Sequence, residues 1–125
     1  MAAMVYPVGT VTNAQGHLEI GGCDVVELAA EFGTPAYVFA VEEMRNRARA
    51  YRDAFAAHTE NFEVLFASKA LPVTAAYKLF ADEGLSVDVA SGGELTMALA
   101  AGYDPARIYM PVSYTHLTLP TNREV

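Results

Sequence analysis

Apolar and polar positions alternate in two short runs near the start of the chain, YPVGTVTN and HLEI, on either side of Asn13-Ala14-Gln15-Gly16. A period of two predicts strands, and the turn-forming residues between them predict a hairpin over Val5–Ile20. Gly21-Gly22 breaks the pattern. Asp24 then offers a cap to a short helix, Val25–Phe32, with Glu27 completing a capping-box-like pair and Gly33 closing it. Thr34-Pro35 forces an extended chain, and Ala36–Phe39 reads as a strand. Val41–His58 has helical periodicity, with Met44, Ala48, Tyr51 and Phe55 as its apolar stripe. Arg45, Arg47, Arg49 and Arg52 fall mostly on the other faces and are expected to be solvated, with Glu42 and Glu43 in the first turn.

The pattern changes at Phe62–Ala67. FEVLFA is a nearly continuous apolar run, as expected of a strand covered on both faces of a parallel sheet. Pro72 suits a first helical turn, and Val73–Asp82 follows as a helix ended by Gly84. Leu85–Val89 is another strand. Ser91-Gly92-Gly93 opens a helix that runs to Ala101 and is closed by Gly102, and Arg107–Met110 begins one more strand. From Pro35 onward the order is βαβαβαβ with short links. That order predicts a parallel α/β sheet or barrel seen from its N-terminal end.

Composition narrows the functions open to such a fold. The chain has 125 residues, 53% hydrophobic and 18% charged, which argues against disorder. No apolar run approaches the ~18 residues of a membrane span, and the first residues lack the pattern of a secretory signal. Asp and Glu outnumber Lys and Arg by 15 to 8, for a net charge of −7. So acidic a chain has no electrostatic footprint for nucleic acid or an anionic membrane. A lone Cys23 excludes a disulfide scaffold and fits the cytoplasm.

The tail VSYTHLTLPTNREV, Val112–Val125, has no apolar period. Val112–Thr121 can be back-translated as GTC TCT TAT ACA CAT CTG ACG CTG CCG ACG, which resembles the transposon-end adapter of shotgun sequencing libraries; part of the Pro111 codon belongs to the same run. Residues 111–125 are therefore expected to be an adapter artefact and are set aside from the fold.

Ligands of parallel α/β folds bind at the carboxyl ends of the strands. Ser68 and Lys69 follow FEVLFA, and Asp88, Ser91, Gly92, Gly93 and Glu94 follow the next strand. A lysine half-buried at such a rim can lose its proton and attack a carbonyl; a solvated or ion-paired lysine gives the same pattern. Asp88 could orient that amine or flank the following helix. Ser91-Gly92-Gly93 could offer N–H groups to an anion or simply make a tight βα turn. Glu94 suits a first helical turn in either case. His17, His58 and His116 are scattered, Cys23 and His17 lack metal-ligand spacing, and no GxGxxG, P-loop or GxSxG motif occurs.

FASKA followed by DVASGGEL resembles the diaminopimelate decarboxylase branch of the pyridoxal 5'-phosphate (PLP) decarboxylases, whose barrel is like that of alanine racemase. DVVELAAEFGTPAYVF, RARAYRDAF, KLFADEGLSVDVASGGEL and ALAAGYDPARIYM agree with it, so the resemblance covers about residues 5–110. GGEL and GTPAYVF favour the diaminopimelate branch over ornithine decarboxylases. In that family IYM runs on into a His-Gly-Asn-Asn-Lys segment, which the adapter-like tail interrupts. Ala40 departs from the family, which often has Asp there. The resemblance implies an α/β fold: the N-terminal part of a PLP-dependent (β/α)8 TIM barrel over residues 23–110, preceded at 1–22 by a β-hairpin belonging to the family's β-domain. It makes Lys69 the lysine that holds PLP as a Schiff base, Asp88 its neighbour, and Ser91, Gly92, Gly93 and Glu94 the turn that shapes the cofactor pocket. It implies decarboxylation of meso-2,6-diaminopimelate to L-lysine by a homodimeric full-length enzyme, with a fragment of this size inactive alone. Decarboxylation of arginine, ornithine or carboxynorspermidine is the nearest alternative. A single-barrel PLP carrier is another, although the leading hairpin argues against it.

Overall fold

The computed structural model describes residues 5–111; the segment Val112–Val125, to which the adapter reading applies, lies outside them. The chain divides into two compact units with the boundary between Arg47 and Ala48.

The first unit holds a three-stranded antiparallel sheet, β1 (Val11–Thr12), β2 (Leu18–Ile20) and β3 (Cys23–Asp24), in the order β1-β2-β3. The expected hairpin is present, with Val11 opposite Glu19 and Thr12 opposite Leu18. Asn13 shapes its turn, the side-chain oxygen accepting the N–H groups of Gln15 (3.1 Å) and His17 (2.9 Å). The third strand is a correction to the sequence reading. Gly21 and Gly22 do not simply interrupt the chain; both have positive φ, +59° and +80°, and they form the two-residue link of a second hairpin that pairs Ile20 with Cys23.

Helix α1 (Val25–Phe32) has the expected bounds. Asp24 caps it, accepting the N–H groups of Val26 and Glu27. Ala36–Phe39 is a second correction: among the described residues it forms no strand, and Tyr37, Val38 and Phe39 are exposed. Its side chains favour extended backbone, but a strand also needs a ladder partner, and no described strand pairs with it.

Helix α2 (Val41–Ala56) crosses the boundary between the units. The expected apolar stripe is only partly realised. Ala48 is its one buried residue among those described, while Tyr51 and Phe55 are exposed, Phe55 stacking on Phe62. Within the second unit the inward face is instead built from Ala48, Arg49 and Arg52. Arg49 makes a two-pronged contact with the Glu83 carboxylate at 2.6 and 2.8 Å, and Arg52 donates to the Glu83 carbonyl at 2.9 Å. Arginine can line such a face because its aliphatic stem packs while its head finds an anion.

The second unit carries the parallel sheet: β4 (Leu65–Ala67), β5 (Ser86–Asp88) and β6 (Ile108–Tyr109), in the order β4-β5-β6. Helix α3 (Thr74–Asp82) joins the first two strands and α4 (Gly92–Ala100) the last two. Pro72 precedes α3 rather than sitting in its first turn. The register puts Phe66, Val87 and Ile108 side by side on one face. That face packs with Tyr77, Ala81, Leu95, Ala98 and Tyr103 into the core, where Tyr77 meets Phe66 and Tyr103 edge-on. Both helices end alike. Leu85 N–H reaches the Phe80 carbonyl and Gly84 N–H that of Ala81; Tyr103 and Gly102 repeat the pair with Ala98 and Leu99. These are Schellman closures, and their glycines have φ of +79° and +86°. The first turns the chain directly into β5, and the second leads through a 3-10 turn, Pro105–Arg107, to β6. FEVLFA is covered on one face only in this chain, since Leu65 and Ala67 on the other side are exposed. No helix of the described residues is long and apolar enough to cross a membrane.

Candidate functional site

The carboxyl ends of β4 and β5 bring Lys69 and Asp88 to one edge of the sheet. Ala67 is paired with Asp88, and Asp88 with Tyr109. Lys69 follows two residues after Ala67, so Lys69 and Asp88 stand at the same end of neighbouring strands. Chain geometry holds the lysine there. Ser68–Ala70 form a single 3-10 turn closed by Leu71 N–H on the Ser68 carbonyl at 3.0 Å. Leu71 must then be extended because Pro72 follows it. Lys69 is exposed and Asp88 half-buried, and neither side chain has a hydrogen bond or ion pair with another described residue. Asp88 lines a concavity of about 330 Å³ with Leu65, Tyr109, Met110 and Pro111.

Ser91, Gly92, Gly93 and Glu94 stand at the start of α4. Ser91 is its N-cap, accepting the Glu94 N–H at 3.2 Å while donating to the Glu94 carboxylate at 2.8 Å. This is a reciprocal capping box. Glu94 Oε2 also accepts the Ala90 N–H at 3.0 Å, and Oε1 accepts the Ser68 hydroxyl at 2.9 Å. Burial pushes the Glu94 carboxyl upward, but the donors from Ser91, Ser68 and the backbone outweigh it and hold it below the usual range. A Cβ on Gly92 would meet open space, and one on Gly93 only the Ser91 hydroxyl at 3.9 Å. The described residues therefore impose no steric demand for glycine at either position.

Residue patterning did not reveal a polar cluster on the same sheet face, nearer the amino ends of the strands. Glu63 accepts the hydroxyls of Ser86 and Tyr109, and Arg107 reaches Ser86 (3.3 Å) and the Gly84 carbonyl (2.5 Å). Those hydrogen bonds hold the Glu63 carboxyl below its usual range, and the Tyr109 phenol is raised by its bond to Glu63. The available signal was positional: Ser86 and Tyr109 lie on the face opposite the core residues Val87 and Ile108. Among the described residues no group of His, Cys, Asp or Glu could hold a metal.

The fold defines a class: parallel α/β proteins, here with a lysine and an aspartate on adjacent strand ends. The comparisons specify it. Residues 41–116 match the family model described as the pyridoxal binding domain of pyridoxal-dependent decarboxylases. The chain belongs to this family. It is 47% identical over 100 residues to a diaminopimelate decarboxylase of Bacillus methanolicus, covering 80% of this chain and 23% of that protein. The crystal structure of diaminopimelate decarboxylase from M. jannaschii superposes with a TM-score of 0.73 at 35% identity, covering 79% of this chain and 24% of the other. The same enzyme in co-complex with L-lysine gives a TM-score of 0.68 at 32% identity, with the same coverage. The chain thus spans about a quarter of the length of the relatives it matches.

The donor set fits the family's cofactor. PLP presents an aldehyde, and the rim offers a water-accessible primary amine with no competing partner among the described residues, with Asp88 at the end of the neighbouring strand.

Proposed function

We propose that the whole protein to which this chain belongs is a PLP-dependent carboxy-lyase that converts meso-2,6-diaminopimelate to L-lysine. The observation that carries the reading is Lys69 on the turn after β4, next to Asp88 at the end of β5, in a chain of this family. The names of the relatives and the lysine-bound neighbour support the choice of substrate. Bound PLP supplies an electron sink for the pair left on Cα when the bond to the carboxylate breaks. Lys69 Nζ would hold the cofactor's aldehyde carbon, yield that position to the incoming substrate amine and keep a proton at hand. Asp88 would orient Nζ from the neighbouring strand. Ser91, Gly92, Gly93 and Glu94 would form the adjoining edge of the pocket. The protein would work in the cytoplasm, which its lone thiol suits, as a homodimer, with no nucleic acid or membrane partner.

The test uses the full-length protein. Borohydride reduction in the presence of PLP should fix the label on Lys69, and Lys69→Ala should abolish both that label and CO2 release from meso-diaminopimelate. Label on Lys78 would refute the site. Faster CO2 release from arginine, ornithine or carboxynorspermidine would refute the substrate, and PLP binding without any release would point to a carrier. Light scattering at twice the monomer mass is expected for the dimer.

A further inference from the structure

We propose that Ser68 is a positioning residue for Lys69: its hydroxyl, held by the buried Glu94 carboxylate, sets the turn that presents the lysine amine at the strand rim. The proposal rests on Lys69 being the cofactor lysine. Ser68 is 0% exposed and Glu94 8%, so their 2.9 Å hydrogen bond is made away from water, where a charge-assisted bond is strong. Both Glu94 oxygens are engaged, Oε1 by Ser68 and Oε2 by Ala90 and Ser91. Among the described residues this carboxylate reaches the Lys69 turn through Ser68. Ala90 lies two residues after Asp88. One carboxylate thus ties the residue before Lys69 to the backbone just beyond Asp88, and fixes the spacing of the two reactive positions across the rim.

The turn needs such a brace. A single 3-10 turn has little stability of its own. Lysine is long and flexible, so its amine is placed chiefly by controlling where its backbone sits, and small misplacements of a reacting group are costly. Tyr77 does not provide a substitute. Its buried hydroxyl makes no hydrogen bond of good geometry with a described residue, although burial, which pushes its pKa up, is opposed by the nearby Ser68 hydroxyl and reinforced by the Glu94 charge. Removing the Ser68 hydroxyl would leave Glu94 Oε1 unsatisfied beside it, and no other described side chain hydrogen-bonds that oxygen.

The experiment compares wild type, Ser68→Ala and Ser68→Cys in the full-length enzyme. Ser68→Ala should raise the dissociation constant for PLP about 10-fold, the scale of one hydrogen bond to a charged group. It should lower kcat by a similar factor with KM for diaminopimelate changed by less than about 2-fold, and shift the pH midpoint of the visible absorbance of bound PLP. Ser68→Cys keeps the volume and a weak donor, and should fall between the two. Wild-type values of PLP affinity, kcat and absorbance midpoint in folded Ser68→Ala would overturn the proposal. If that variant does not fold, the same wild-type values in Ser68→Cys would overturn it. Borohydride labelling of a different lysine in the wild-type enzyme would instead remove the Lys69 reading, and the proposal with it.

Discussion

Asp24 shows how much one short side chain can organise. Oδ1 accepts the N–H groups of Val26 (2.7 Å) and Glu27 (3.3 Å), while Oδ2 accepts Asn13 Nδ2 at 2.6 Å and meets His17 Nδ1 at 2.9 Å. The cap of α1 is thereby joined to the turn of the first hairpin. Burial pushes this carboxyl upward, but the His17, Asn13 and backbone donors win and lower it to about 2. A carboxyl depressed in the folded state stabilises it fully above its unfolded value of about 3.9, and that contribution disappears as pH falls toward 2. Thermal melts of full-length Asp24→Ala should therefore show a lower midpoint than wild type at pH 7, with the deficit shrinking between pH 4 and pH 2. A deficit independent of pH in that range would show that the charge is not what matters. The cap itself was legible, because Asp followed by Glu three positions on is a local signal. Asn13 and His17 were not, because they reach Asp24 only after two turns have folded the chain back. Lys69 and Asp88 were legible as polar residues at the ends of apolar runs. The tie from Ser68 to Glu94 spans 26 positions and needed the sheet register and the cap of α4 to appear.

At the scale of elements, periodicity located the four α-helices of the described residues but misjudged which side of α2 faces inward. The stripe rule counts apolar side chains, so it selected Tyr51 and Phe55. The second unit instead offers α2 a buried carboxylate at the end of α3, and Arg49 answers it with two parallel bonds. Arg49→Ala should destabilise the full-length protein by about 1–2 kcal/mol, below the full value of a buried charged bond because the arginine is partly exposed. Arg49→Lys should lose nearly as much, since one ammonium cannot reproduce the fork. Arg47→Ala removes an exposed pair with Glu43 on the same helix and should cost no more than about 0.5 kcal/mol. Urea unfolding of the three variants checks the order, and equal losses at Arg47 and Arg49 would mean the Glu83 contact contributes nothing special. Ala36–Phe39 failed for a different reason. Strand propensity is written in the local sequence, but pairing is a property of a neighbour, and none of the described strands is that neighbour.

At the scale of the whole molecule, the three parallel strands form an open sheet with one finished face. Phe66, Val87 and Ile108 are packed under α3 and α4, whereas Leu65, Ala67 and Tyr109 on the other side are exposed, and β4 and β6 each have one ladder partner among the described residues. A (β/α)8 barrel takes about 250 residues, and this chain corresponds to 23% of a diaminopimelate decarboxylase. In a closed barrel the exposed face would become the interior, and the rim carrying Lys69 and Asp88 would become the wall of an enclosed pocket. Here the same rim opens to water. In that setting no closed wall keeps water from bound reactants. Apolar surface beside unpaired strand edges also favours self-association. The 125-residue chain supplied with PLP and meso-diaminopimelate should therefore release CO2 no faster than PLP alone, and should run as aggregates in size-exclusion chromatography. Full-length protein assayed in parallel should turn over. Release above the free-PLP background from the 125-residue chain would mean that Lys69, Asp88 and the α4 turn suffice for the chemistry, and that closure of the barrel contributes stability rather than catalysis.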